Sequence, residues 1–171
     1  MNLKTLLHTD ARLSARLQIA EQPGHPRTLA AILAHSGDSW FWILGLILTW
    51  LLAEEPWKAW ALRMLGMIIV LALIVTTLKF SIRRRRPEGE WGAIYRNTDP
   101  HSFPSGHAAR SALLAVLSLA WGPSWLGVTL TIWAPLVSLA RVAMGLHYLS
   151  DVIVGAILGV LAGVLGAFIL G

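Results

Sequence analysis

Residues 60–80 read WALRMLGMIIVLALIVTTLKF, and residues 81–87 continue SIRRRRP. A bilayer core takes roughly 20 helical residues to cross. The first stretch supplies them without the period-two alternation of a membrane β-strand, so it reads as a transmembrane helix. Its end is unusual. Lys79 lies almost a full turn inside the apolar segment, Arg83, Arg84, Arg85 and Arg86 form a basic block, and Pro87 stops the helix. A charge beside hydrocarbon is expensive and calls for a reason.

Four more apolar segments flank this one: about Trp40 to Ala53, His107 to Trp121, Trp125 to Arg141 and Asp151 to Leu170. The fold expected is all-α, an integral membrane bundle of about five transmembrane helices. The segments starting at Trp40 and His107 are short, so they must be tilted, lengthened by their flanks or packed against partners. Tryptophans 40, 50, 57, 60, 91, 121 and 125 fall near segment ends, as interfacial anchors do. Gly155, Gly159, Gly163 and Gly166 recur along the last segment and would permit close helix contact.

Composition agrees. Of 171 residues 56% are hydrophobic and 13% charged, which excludes an ordinary soluble domain. There is no cysteine, hence neither a disulfide framework nor a thiolate metal site. The formal charge is +5. The basic run abuts an apolar helix, so anionic headgroups or a phosphorylated substrate suit it better than nucleic acid. Residues 1–38 form a separate amino-terminal arm ahead of a transmembrane domain at 39–171. Within the arm, Leu3, Leu6, Leu7, Leu13 and Leu17 gather opposite Lys4, His8, Arg12 and Arg16, the pattern of an interfacial amphipathic helix or of a surface helix packed on the domain. The same charges interrupt any apolar core, so no cleavable signal peptide is expected. A short helix from about Arg27 to Ala34 leads to Ser36-Gly37-Asp38.

Three polar clusters mark segment ends, and alternating topology carries all of them to one membrane face. His147 and Asp151 are four apart. On a helix they would share a face, the carboxylate accepting one imidazole hydrogen and leaving the other nitrogen's lone pair outward; the plainer reading is a capped helix start. Pro104-Ser105-Gly106-His107 stands where a loop becomes a helix. There Ser105 is a good N-cap, Gly106 admits a ligand to the backbone, the free amides suit an oxyanion, and His107 is placed to give a proton. Lys79 and Arg86 can hold a phosphoryl group from two directions, and Arg141 ends its segment among apolar neighbours. Arg83, Arg84 and Arg85 are read as a positive-inside anchor. Together these parts meet the needs of phosphoryl transfer: cations for the oxygens, a nucleophile and an acid.

Lys79 with Arg86-Pro87, then Pro104-Ser105-Gly106-His107, then Arg141 with His147 and Asp151 resemble the three-part signature of the type 2 phosphatidic acid phosphatase superfamily, lipid phosphate phosphatases related to vanadium haloperoxidases. The resemblance covers about residues 39 to 170. It implies that His147 is a nucleophile forming phosphohistidine, oriented by Asp151. It also implies that His107 protonates the leaving oxygen and later assists water, and that Lys79, Arg86, Ser105, Gly106 and Arg141 bind the phosphoryl oxygens. No metal or other cofactor is implied. One position departs from the family pattern, Ala140 standing where a serine is usual, which would remove a phosphate hydrogen bond.

The implied substrate keeps its tail in the bilayer: a polyprenyl phosphate or diphosphate, phosphatidic acid or phosphatidylglycerol phosphate, with the compact size favouring the polyprenyl carrier. The resemblance to compact bacterial members implies the cytoplasmic (inner) membrane and leaves open which face carries the site. Three rivals stand beside hydrolysis: a phosphotransferase using the same residues, a non-catalytic lipid-phosphate-binding protein, and a small channel. The retained histidines oppose the second, and the gathering of polar residues at one face opposes the third.

Overall fold

The computed structural model describes residues 2–171, without the side chains of Leu3 and Arg96. The expected place of Leu3 on the arm's apolar face therefore lies outside the described residues. Among those residues the protein is all-helical: α1 (Leu3–Leu17), α2 (His25–Ser36), α3 (Ser39–Leu52), α4 (Trp57–Ile82), α5 (Glu90–Arg96), α6 (Gly106–Trp121), α7 (Ser124–Ala143) and α8 (Leu149–Leu170). The five apolar segments are α3, α4, α6, α7 and α8. Short α5 lies inside the polar stretch between α4 and α6, where hydropathy alone suggests only loop.

α6 is the axis of the bundle. Almost every side chain from Ala108 to Ser118 is buried, and α4, α7 and α8 pack around it. Sixteen residues suffice because protein rather than lipid surrounds them. The close approach of α8 is allowed by its glycines. A Cβ at Gly155 would strike the Ser105 backbone and one at Gly159 the Ala109 backbone, so α8 rests directly on the first turns of α6. The outer faces stay apolar and exposed, as at Leu52, Leu73, Ile132, Leu165 and Phe168, which suits hydrocarbon.

By length and composition three helices, α4, α7 and α8, can cross a membrane, and a fourth span results if α2 and α3, bent by 45° at their junction, count as one. The expected five is not reached on those criteria, because α3 and α6 are too short to qualify alone. The chain is an integral membrane protein with its helices in one bundle.

At the end of the bundle opposite the site, Arg63 donates to the Leu170 carbonyl at 3.0 Å and lies over the Trp121 ring, closing the C-terminus of α8. At the other end the arm folds over the bundle. Ser14 Oγ accepts the Leu149 amide and Asp10 Oδ1 the Ser150 amide, so α1 caps α8 from outside its own chain segment. Leu6, Leu7, Leu13 and Leu17 remain exposed on the far side of α1. Docking and an exposed apolar face thus occur together.

Candidate active site

The site is assembled at one end of the bundle from chain breaks rather than helix interiors. α4 ends at Arg83, whose backbone is left-handed (φ 53°), and the chain then runs back over the site. Ser102 donates its amide to the Arg84 carbonyl at 2.9 Å, fixing this return. α7 ends at Ala143, and Gly145 takes a positive φ of 67° to turn the chain into α8. His147 sits in that turn.

His147 is 1% exposed. Its Nδ1 lies 2.8 Å from the Ser102 carbonyl oxygen, which can only accept, so Nδ1 carries the hydrogen and Nε2 the lone pair. Arg86 Nη1 lies 3.3 Å from Nε2. Burial, reinforced by the charges of Arg86, Arg141 and Lys79, pushes the imidazole well below its ordinary pKa, against a smaller opposing effect of Asp99. The ring is neutral at pH 7 with its tautomer set.

Asp151 lies beside His147 but does not share a helix face with it. His147 precedes α8 instead of lying on it, so the shared helix face does not exist, and the Asp151 carboxylate stands 3.6 Å from Nδ1. Its oxygens are engaged elsewhere: Oδ2 accepts the Tyr148 amide at 2.9 Å as half of a capping box, and Oδ1 accepts from Arg84 Nη1 at 2.6 Å. The capped helix start is thus present in this pair. Arg84 in turn is no free anchor. It bridges Asp151 to Asp10 of the arm (2.6 Å) and lies 3.9 Å from the Tyr148 ring centroid. Arg83 and Arg85 are exposed, as an anchor would be.

Three cations converge beside His147. Arg86 is buried; its Nη1 donates to the Leu146 carbonyl (2.8 Å), while Nε and Nη2 reach the carbonyl and carboxylate of Asp99 at 2.7 and 2.8 Å. Lys79 donates to the same Asp99 oxygen. Burial raises the Asp99 carboxyl and Lys79 with Arg86 more than offset it, so Asp99 stays ionised below its ordinary pKa. Arg141 is different. It is 1% exposed, contacts Tyr95 through its hydroxyl (3.4 Å) and ring face, and its Nε finds no hydrogen-bond partner among the described residues. A buried donor left unpaired costs about 1–3 kcal/mol, more when charged. Such a group fits a place where an anion arrives.

The second cluster borders the same place. Ser105 caps α6, its Oγ 3.5 Å from the Ala108 amide, and its own amide donates to the Asp151 carbonyl. A Cβ at Gly106 would meet only Val75 at ordinary contact distance. His107 and Gly106 line a cavity of about 330 Å³ with Lys79 and Asp99 at its polar end; Ile68, Leu71, Ala72 and Val75 of α4 carry it into the apolar zone. His107 Nε2 lies 2.7 Å from Asp38. The site therefore brings together Lys79, Arg86, Ser105, Gly106, His107, Arg141 and His147, with Asp151 behind them as a cap.

Sequence reasoning missed Asp38, Asp99, Tyr95, Arg110 and the Ser102 carbonyl. Arg110 had a signal: it is a cation inside an apolar segment, as Lys79 is. It donates to the Gly37 carbonyl. Ala140 is buried among Ala20, Ala30, Ala34 and Leu146, so this position packs the arm against α7.

A buried imidazole, a guanidinium whose Nε is unpartnered among the described residues and a lysine–arginine pair meet at the end of a membrane helical bundle, an arrangement suited to an anion. Comparison with known proteins gives the family. The PAP2 superfamily matches residues 60–169, and the chain belongs to it. It is 31% identical over 147 residues to decaprenylphosphoryl-5-phosphoribose phosphatase of Mycobacterium tuberculosis, covering 85% of this chain and 80% of that protein. It is 33% identical over 106 residues to undecaprenyl-diphosphatase of Sulfolobus acidocaldarius, covering 57% and 51% of the two chains. Its fold matches the PAP2-type phosphatidylglycerolphosphate phosphatase of Bacillus subtilis with a TM-score of 0.75 at 23% identity, over 95% of this chain and 84% of that one.

Proposed function

We propose that this protein is a metal-independent membrane phosphatase that hydrolyses a lipid phosphate or diphosphate through a phosphohistidine on His147. The observation that carries the reading is the state of His147: buried, its hydrogen directed to a backbone carbonyl, its lone pair facing Arg86 within a ring of three cations. A neutral imidazole with a fixed tautomer is a nucleophile, and the cations are placed to stabilise charge on transferring phosphoryl oxygens.

In the first step Nε2 of His147 bonds to phosphorus, the bond from phosphorus to the leaving oxygen breaks, and His107 gives that oxygen its proton. In the second, water attacks phosphorus, the nitrogen–phosphorus bond breaks, and the proton lost by water returns to His107. The products are alcohol, or the shortened phosphate, and orthophosphate. Lys79, Arg86 and Arg141 hold the oxygens, with the α6 amides beyond Ser105 and Gly106. Asp151 acts at one remove, holding the α8 start that follows His147.

A lipid substrate is favoured by the cavity, whose polar end adjoins an apolar wall along α4. The relatives that act on polyprenyl-linked phosphates favour a polyprenyl carrier, and we place the protein in the bacterial cytoplasmic membrane. The test is phosphate release by detergent-purified protein, with chelator present, from polyprenyl diphosphate, phosphatidic acid and phosphatidylglycerol phosphate. Release survives chelation and falls by roughly 10⁴-fold or more in His147→Ala. Normal turnover in that variant contradicts the assignment, and transfer to an added alcohol without orthophosphate marks a phosphotransferase.

A further inference from the structure

A hydrogen-bonded carboxylate–histidine pair is present on the other histidine, His107. The corner between α2 and α3 consists of Gly37 and Asp38, and it is held over His107 from several sides. Ser36 Oγ accepts from Trp133 Nε1 at 2.9 Å, the Ser36 carbonyl accepts from Trp42 Nε1 at 3.0 Å, and the Gly37 carbonyl accepts from Arg110 through Nε and Nη2. A Cβ on Gly37 would crowd Val137 at 2.9 Å and the His107 ring at 3.4 Å, so glycine lets the corner close on the ring. Asp38 Oδ1 then accepts from His107 Nε2 at 2.7 Å, and Oδ2 from His35 Nδ1 at 3.1 Å.

Asp38 is also the N-cap residue of α3, yet its side chain makes no capping hydrogen bond. An aspartate there ordinarily accepts from the first-turn amides, and losing that cap weakens the helix start. Here the carboxylate is turned from the helix to the imidazole. The contrast with His147 has chemical sense. A nucleophile must be unprotonated, and a neutral carbonyl fixes its tautomer without favouring imidazolium. An acid must carry its proton, and an anionic acceptor favours the imidazolium.

We propose that Asp38 is the positioning residue of the proton donor, so that the site's acid is an Asp38–His107 pair, half of it supplied by the arm outside the family-matched segment. This rests on the reading of His107 as the acid. With Nε2–H held by Asp38, the proton passed to the leaving oxygen is that of Nδ1, which has no partner among the described residues. Asp38 stays ionised and transfers nothing, and water returns the proton to Nδ1 in the second step. The charged and titratable groups around His107 are Asp38 at the corner, with His35 on its other oxygen, Arg110 on α6, Arg141 on α7, and Lys79 with Asp99 across the cavity. Asp38 is the carboxylate hydrogen-bonded to it, whereas Asp99 across the cavity is paired with Lys79 and Arg86. Removing the Asp38 charge takes away the anionic acceptor that offsets burial and the cations Arg141 and Arg110.

The test compares kcat/KM, which reports the first step, for p-nitrophenyl phosphate, whose leaving group needs no proton, and for an alkyl lipid phosphate, whose leaving group does. In Asp38→Asn the alkyl substrate loses about tenfold or more while the aryl substrate stays within about threefold, and the basic limb of the alkyl pH profile moves to lower pH. Asp38→Glu keeps the ratio near wild type. Because both substrates are read on one preparation, the ratio is independent of the folded fraction. Equal losses on both substrates, or a faster Asp38→Asn enzyme, as expected if Asp38 merely stands where the leaving oxygen goes, overturns this inference alone. A His107→Ala enzyme with no leaving-group dependence overturns it together with the assignment of the acid.

Discussion

Two histidines of one site differ in the acceptors on their ring nitrogens. The Ser102 carbonyl holds His147 and burial among cations keeps its ring neutral, whereas the Asp38 carboxylate holds His107. The first arrangement has a consequence for stability. The His147 pKa is lowered on folding, so below about pH 6.5, the ordinary imidazole value, the unfolded chain binds a proton that the folded one does not. Stability contributed by the neutral ring is complete above that pH and is lost as pH falls towards the folded value. Thermal melts in detergent therefore fall on acidification from pH 7 to pH 5, and the slope is shallower in His147→Gln. Equal slopes would mean that another group dominates. The neutral carbonyl acceptor is not legible in the sequence, because a backbone oxygen has no residue signature. Lys79, Arg86 and Arg141 are legible, since a cation at the end of an apolar segment is too costly to stand there without a partner or an anion to hold.

Elements are legible where periodicity and breakers agree. α4, α6, α7 and α8 begin and end within a few residues of the segments expected from hydropathy. α5 escapes such a reading because its seven residues sit in a run rich in glycine, asparagine and charge; its Tyr95 is what lies against Arg86 and Arg141. The His147–Asp151 spacing misleads for a related reason: four residues apart means one face only if the helix spans both, and Gly145 delays its start to Leu149. The glycine series of α8 is readable because its cause is steric and local. Gly159→Ala forces a methyl into the Ala109 backbone and destabilises by about 1–3 kcal/mol, a fall of about 2–4 °C per kcal/mol in the melting temperature. Gly45→Ala, where a Cβ meets nothing within 4 Å, serves as the comparison and leaves the melt unchanged. If the two variants melt alike, the α6–α8 contact is not what holds this bundle.

At the scale of the molecule, the arm is part of the machinery. α1 caps α8 through Asp10 and Ser14, Arg84 joins Asp10 to Asp151, Arg27 forms a two-pronged ion pair with Glu90 at 3.1 Å, and the α2–α3 corner meets His107. The sequence shows the arm as amphipathic but cannot show these contacts, because each joins residues far apart in the chain through single side chains. These parts surround His147, and the phosphohistidine is proposed to form there. It is tested by quenching turnover of a lipid phosphate in alkali, which preserves a phosphoramidate, and mapping the phosphorylated peptide by mass spectrometry. The account predicts a phosphoryl group on the peptide bearing His147, accumulating in His107→Ala when p-nitrophenyl phosphate, whose leaving group needs no proton, is the donor, and absent from His147→Ala. Turnover with phosphate on another residue, or with none trapped in any variant, would contradict it.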